Sequence, residues 1–532
     1  MKTSPGVSRW LRAALTIVVS ALLLTALGSP AMAKSNSHVE KNGTLTIGIP
    51  NSPEELDPTT EASVYGHWVF ANMCYALYTW NTGLAVVPLL TTALPTVTDG
   101  GLRYTIHLRS GQVFQDGTPL TAAAVKESLE RMKTLPASAE ASGLASVTSI
   151  SVVNKLTVQL NLSQPDGPLT SILADRAGIP MSPKALASEG TNFGLHPVCV
   201  GPFTFQSRPS IDTINLVRSK HFSGPKPKIA KITYEVIIDA STCYANLLSG
   251  TINIAECLAP NDVSLLKSNP AYRTGNVLTE GFEVLTLNVG NTNGYDKPYG
   301  VANNPLAQHP ILRKALELSL NRAAINTTVY DGNDKPACSP ISPSNKTYYT
   351  KIQCTPHNVA EAKRLVAESG VPTPIKLTLL VGTGAQPVLA GQVIAAQAKQ
   401  AGFDITVEPL GGDEAVVQAE AGGSFEMYQD QWSGRSDPDQ NLSNWYAPGS
   451  PLNYSGINDP TLNTMLATAR ATTSVPVRKQ DYAKIVKYLN QKLLSTIYLN
   501  YESDQIAYPK QVSGIVFIHN GNLLLNKTTI SS

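Results

Sequence analysis

From His357 to Gln431 the sequence alternates helical and strand patterns, and few folds accommodate that alternation. A helical stretch, His357–Ser369, stops at Gly370, and a β-rich run follows over Ile375–Val381. A second helix, Val388–Ala401, stops at Gly402; strand Phe403–Val407, helix Asp413–Ala421 and strand Phe425–Gln431 complete the series. Strands spaced by helices of roughly 10–15 residues build βαβ units and a mostly parallel sheet, so an α/β fold is expected. In an open sheet of this kind, ligands sit beyond the carboxyl ends of the strands. The chain leaves the last strand as Trp432-Ser433-Gly434-Arg435-Ser436-Asp437-Pro438-Asp439. That segment sets an aromatic plate, a fixed cation and turn residues where a ligand should lie.

The rest of the chain fits the same class. Gly43–Pro50 alternates like a strand, Glu54–Glu61 is loop-like, and Val64–Tyr78 has helical spacing. Strands follow at Tyr104–Leu108 and Leu156–Leu160, with a helix between them that Thr121 caps ahead of Ala122–Met132. Phe203–Glu256 reads mostly as strands, with a helix near Ala240–Ser249. Asp459-Pro460 opens one helix with N-cap and N1 residues, and a longer one spans Val477–Leu494. Strand-like Thr496–Glu502 and Gly514–His519 close the chain.

The first 33 residues read as an export leader. Arg9 and Arg12 precede the apolar run Ala13–Leu27, and Ala31-Met32-Ala33 supplies the small-x-small pattern of a cleavage site. The apolar run is short of the roughly 20 residues a bilayer needs, which weighs against an uncleaved anchor. No Cys follows it, so no lipid attachment is expected there. A mature chain beginning near Lys34, periplasmic or otherwise extracytoplasmic, is the expectation. The 41 basic residues lose Lys2, Arg9 and Arg12 with the leader, leaving 38 against 39 acidic ones. So balanced a charge gives no reason to bind nucleic acid or an anionic surface. About 500 mature residues exceed one core, so two or three lobes are expected.

Six cysteines, all beyond the leader, suit disulfides in an exported chain. Cys338 and Cys354 bracket a Pro- and Ser-rich loop, Cys243 and Cys257 are a second local pair, and Cys74 with Cys199 is left over; buried free thiols are the alternative. No CxxC, CxxH, HExxH or GxSxG occurs, and Gly382–Gly384 is followed by no Lys-Ser/Thr as a phosphate loop requires. No enzyme chemistry, metal or cofactor is indicated.

Several blocks, taken in order, resemble family 5 solute-binding proteins, the oligopeptide, dipeptide, nickel and glutathione receptors of ABC importers. Leu108–Met132 (LRSGQVFQDGTPLTAAAVKESLERM) is similar to that family's "LR-x-G-x-x-F-x-DG-x-x-x-TA" block. Gly201-Pro202-Phe203 resembles its "GTGPF/Y" turn, Asn288 its "fN" strand, Pro310–Arg322 its "VRQALAYAIDR" helix, and Trp432–Asp439 its "W-x-G-x-x-x-DPD" ligand loop. The resemblance implies a two-lobed periplasmic binding protein fold of type II with an extra subdomain in the first lobe. The implied partition is 34–79, 198–283 and 500–532 for lobe I, 80–197 for the subdomain and 284–499 for lobe II. It also implies chain crossings near Leu278–Leu287 and Ile497–Glu502, and a monomer that closes on a small-molecule or short-peptide solute and docks on an ABC permease.

Departures from the family pattern bear on the solute. Peptide-binding members carry an Asp at the position of Arg435, where it grips the peptide ammonium; a cation there attracts a carboxylate instead. Dipeptide-binding members carry an Arg after the strand matching Ile375–Val381, where this chain has Gly382-Thr383-Gly384-Ala385. Cys199-Val200 replaces the usual "GT", hinting at a local disulfide. Arg435 is thus expected to clamp a ligand carboxylate, the alternative being a salt bridge to Asp437 or Asp439. Trp432 is a stacking wall or a core residue, and Asp437 a turn and capping residue. Gln431 and Asp430 at the strand end, Asn51 and Ser52 after the first strand, and Tyr65 and Trp68 (with His67) are further cleft candidates. The expected function is capture of a small carboxylate-bearing solute, peptide-like or an amino-acid conjugate. The alternatives are a receptor for a metal chelate or haem-like ligand, or a periplasmic chaperone.

Overall fold

The computed structural model describes residues 43–411, 419–450 and 452–531. The leader Met1–Ala33 and residues 412–418, most of the helix expected over Asp413–Ala421, lie outside the described residues. One long mixed sheet organises the molecule. Its strands, in chain order, are β1 (Thr44–Ile49), β2 (Phe203–Ser210), β3 (Thr213–Arg218), β4 (Lys231–Val236) and β5 (Ile254–Ala255). Then come β6 (Tyr272–Leu287), β7 (Ile375–Gly382), β8 (Phe403–Leu410), β9 (Met427–Trp432) and β10 (Thr496–Pro509). Their spatial order is β8-β7-β9-β6-β10-β5-β1-β4-β3-β2, and short Lys335–Pro336 also pairs with β10. The two longest strands, β6 and β10, therefore stand in the middle. On one side lies lobe I, with β1 parallel to β4 and β5; on the other lies lobe II, with β7 parallel to both β8 and β9.

The parallel order of lobe II follows from its crossover helix α2 (Ala385–Lys399) between β7 and β8, because parallel neighbours need such a return. Alternation along β6 sends Leu285 and Leu287 into one core and Phe282 and Val284 into another on the opposite face. Lobe II is thus covered on both faces, as parallel strands require. The subdomain is an antiparallel sheet of four strands, ordered Thr96–Thr98, Arg103–His107, Thr157–Leu162 and Val147–Asn154. Its helix Ala122–Thr134 starts where Thr121 accepts the Ala124 N–H at 3.3 Å. The subdomain has a core of its own, running from Leu77 to Val200.

The crossings expected at Leu278–Leu287 and Ile497–Glu502 fall within the antiparallel pair β6/β10. The pairing slips between Leu278 and Phe282, so Thr279, Glu280 and Gly281 bulge from the ladder. Helix α1 (Val64–Met73) ends before the expected Tyr78, and Tyr78–Trp80 instead pairs as a strand with Val86–Pro88. Helical spacing could not see the cause. The six cysteines form three pairs, Cys74–Cys199, Cys243–Cys257 and Cys338–Cys354, with Cα separations of 5.0, 5.9 and 5.2 Å. Cys74 is the residue that closes α1, and its bond to Cys199 turns the chain there. Among the described residues, no helix is long and apolar enough to cross a membrane.

Candidate functional site

The loop that leaves β9 is fixed by glycine, acid and aromatic side chains in turn. Trp432 ends β9 opposite Phe282 of β6. Gly434 follows at φ +74, and a Cβ there would stand 2.3 Å from the Glu280 carbonyl, so only glycine lets the loop seat on the bulge. Asp437 then caps α3 (Pro438–Tyr446), accepting the Asp439 N–H at 3.0 Å. Arg478, 1 % exposed, grips both Asp437 oxygens at 2.7 and 2.6 Å. Asp439 is held by Arg470 at 2.6 Å.

Both acids of the loop are therefore committed elsewhere. Among the described residues, Arg435 has no carboxylate within ion-pair distance. Its guanidinium lies 4.4 Å over the Trp432 ring, and Nη1 donates to Ser433 Oγ at 3.0 Å and to the Gly434 carbonyl at 2.7 Å. Trp432 is anchored from behind by Asn441 at 2.9 Å and by an edge contact to Trp445 at 6.4 Å. Asn441 also donates to the Arg435 carbonyl at 2.8 Å. One edge of the Arg435 fork is left for something else.

Arg435 lines a small cavity between the lobes, about 40 Å³, whose opposite wall is lobe I: Val64 and His67 of α1, Trp80, Asp175 and Asn520. His67 Nδ1 lies 3.3 Å from Asp175 Oδ1. Burial pushes His67 down to about 3, against the pull of Asp175 and with help from Arg176 and Arg435, so the imidazole is neutral. Burial raises Asp175, but the fixed charges of Arg176 and Arg435 and the Arg176 backbone N–H favour its anion, and its carboxyl stays below the usual range. Glu280, 3 % exposed on the bulge, is pushed up to about 8 by burial, despite hydrogen bonds from Ser436 and Asn345 and the charge of Arg435. Burial also lowers Arg435 from its ordinary value, against Asp175 and Glu140, yet a guanidinium remains charged. At neutral pH the cavity thus holds one cation, one carboxylate and a largely protonated acid.

The other expected residues are placed as follows. Gln431 is exposed and lines a neighbouring polar crevice with Glu256, Glu283, Glu502 and Asp504. Asp430 accepts the Gln431 N–H at 2.7 Å and is raised to about 7 by burial; it lines neither space. Asn51 is exposed, and Ser52 is engaged by the Ile211 carbonyl at 2.6 Å and Arg208 at 2.9 Å, away from Arg435. Tyr65 meets Trp68 edge-on at 5.3 Å, and Trp68 belongs to the lobe I core. Trp80, Asp175, Glu280 and Asn520 were not singled out from the sequence. Asp175-Arg176, two charges at the end of the apolar stretch Leu169–Ala174, was the available signal. Among the described residues, no three His, Cys, Asp or Glu side chains are arranged to hold a metal ion.

Residues 85–453 match the family described as bacterial extracellular solute-binding proteins, family 5 Middle. The glutathione-binding protein GsiB of Salmonella paratyphi A is 27% identical over 487 residues, covering 88% of this chain and 91% of that one. Among solved structures, the ABC transporter substrate-binding protein CtaP of Listeria monocytogenes superposes with a TM-score of 0.81 at 21% identity, over 93% of this chain and 100% of its own. The periplasmic binding protein DppA of Helicobacter pylori, in complex with the peptide STSA, gives a TM-score of 0.75 at 21% identity, over 92% and 98%.

Proposed function

Because the chain belongs to the family 5 bacterial extracellular solute-binding proteins of ABC importers, transport receptors and not enzymes, we propose that it captures a small carboxylate-bearing solute at Arg435. The solute is peptide-like or an amino-acid conjugate, in keeping with relatives named for glutathione and found with a peptide. The leader is cleaved near Ala33, and the monomer works outside the cytoplasm. Lobe I (34–79, 198–283 and 500–532, with subdomain 80–197) and lobe II (284–499) close on the solute and hand it, unaltered, to a membrane permease.

One observation carries this reading: Arg435 lines the cavity with no carboxylate at ion-pair distance among the described residues, while Asp437 and Asp439 pair with Arg478 and Arg470. A carboxylate offered to that fork completes charge-assisted hydrogen bonds that the fold leaves unmade. Trp432 keeps the guanidinium flat and oriented rather than touching the solute itself. The ligand stabilises the shut form by its greater affinity for that form.

A thermal-shift screen of short peptides, amino-acid conjugates and organic acids tests it. A bound solute raises the melting temperature as RT ln(1 + [L]/Kd) grows. Arg435→Ala is expected to weaken any hit roughly ten- to hundredfold, the value of a charged hydrogen bond. A hit whose affinity survives that substitution contradicts the proposal.

A further inference from the structure

Behind the Arg435 cavity lies a second, larger one, about 210 Å³, inside lobe I. The two share three wall residues, His67, Trp80 and Asp175, so they adjoin across these side chains. The remaining walls are mainly apolar: Phe70, Ala71 and Tyr75 from the α1 side, Leu89 from the subdomain, and Ile518 and Leu524 from the C-terminal segment. An apolar recess next to a charged one suits a ligand that carries both kinds of group. The chamber is smaller than the roughly 300–1,000 Å³ that holds a whole small ligand, so it takes one arm of the solute.

Charge decides which arm. Asp175, on the wall shared with the Arg435 cavity, is held as the anion, so a carboxylate is repelled from the chamber. Arg176, at the chamber's edge, is paired with Glu140 at 2.9 Å. The carboxylate end therefore stays with Arg435.

Resting on the carboxylate reading above, we propose that the solute is an amphiphilic conjugate with two recognised parts. Its carboxylate meets Arg435, and an aromatic or aliphatic arm fills the adjoining lobe I chamber.

Calorimetry with N-acylglycines of rising chain length, from acetyl through butanoyl to hexanoyl, tests this. Each added methylene is expected to tighten binding about fourfold until the chamber is full. Ala71→Phe, which fills the chamber from α1, is expected to flatten the series, so that the hexanoyl member binds no more tightly than the acetyl one; circular dichroism checks that this variant folds. The series in the unmodified protein decides the matter even without the variant. Affinity independent of acyl length, a series unchanged by Ala71→Phe, or no binding of any member overturns the proposal. The same acyl-length dependence in Arg435→Ala, with every affinity as tight as in the unmodified protein, leaves the chamber standing and overturns the carboxylate reading instead.

Discussion

Two arginines near the β9 loop have opposite duties. Arg478 is buried between Tyr348 and Tyr482, with its charge spent on Asp437. Arg435, two residues before Asp437, has no carboxylate within ion-pair distance among the described residues, and Asp175 acts on it only from across the cavity. Removing one member of a buried, doubly bonded pair leaves the other uncompensated, so Asp437→Ala is expected to cost about 3–5 kcal/mol in urea unfolding. Arg435→Ala loses its stacking on Trp432 and two hydrogen bonds within its own loop, to Ser433 and the Gly434 carbonyl, together about 1–2 kcal/mol. Equal losses would make Arg435 a structural residue. The capping role of Asp437 was legible, since Asp-Pro announces a turn and helix start. Its partner Arg478 was not, because 41 residues separate them and no local pattern records so distant a contact.

At the scale of elements, the strands that join the lobes carry buried acids, and Asp334 lies against them, bonded to Asn500 and Ser503. Burial raises Glu280 to about 8, Glu283 and Asp334 to about 7 and Asp504 to about 6. In the unfolded chain these groups titrate near 4. Between about pH 4 and 8 the folded protein therefore binds more protons than the unfolded one, and its stability falls as pH rises. The urea midpoint is expected to be highest near pH 5 and to decline toward pH 8, with Glu280→Gln flattening the upper part of the decline. A midpoint that rises over this range would contradict the burial of these acids. Most elements here were legible from periodicity and caps: β7, α2 and β8 begin within three residues of their expected starts. The Thr279–Gly281 bulge was not, because Thr-Glu-Gly between apolar runs reads as an ordinary strand. Only its pairing with β10 exposes the slip.

Across the whole molecule, one continuous sheet links the lobes, and a second contact bridges them at a distance from it. The Gly167 N–H of the subdomain donates to the Arg470 carbonyl at 2.8 Å, and Arg470 spans Asp439 of lobe II and Asp166 of the subdomain at 2.6 and 3.6 Å. The lobes thus meet around the Arg435 cavity. A solute bridging that cavity adds contacts on both sides, and affinity and closure rise together. Family and two-lobed architecture could be read from the ordered sequence blocks. Of the opposite wall only His67 could be read, with the cluster after the first strand; Trp80, Asp175 and Asn520 come from three other stretches that only folding gathers. The most direct test takes the tightest carboxylate from the solute screen and its neutral amide, and measures both dissociation constants in the unmodified protein and in Arg435→Ala. The account predicts that the acid binds at least about tenfold more tightly than the amide, and that this preference disappears with the guanidinium. Equal binding of acid and amide, or a preference that outlasts Arg435, would contradict it.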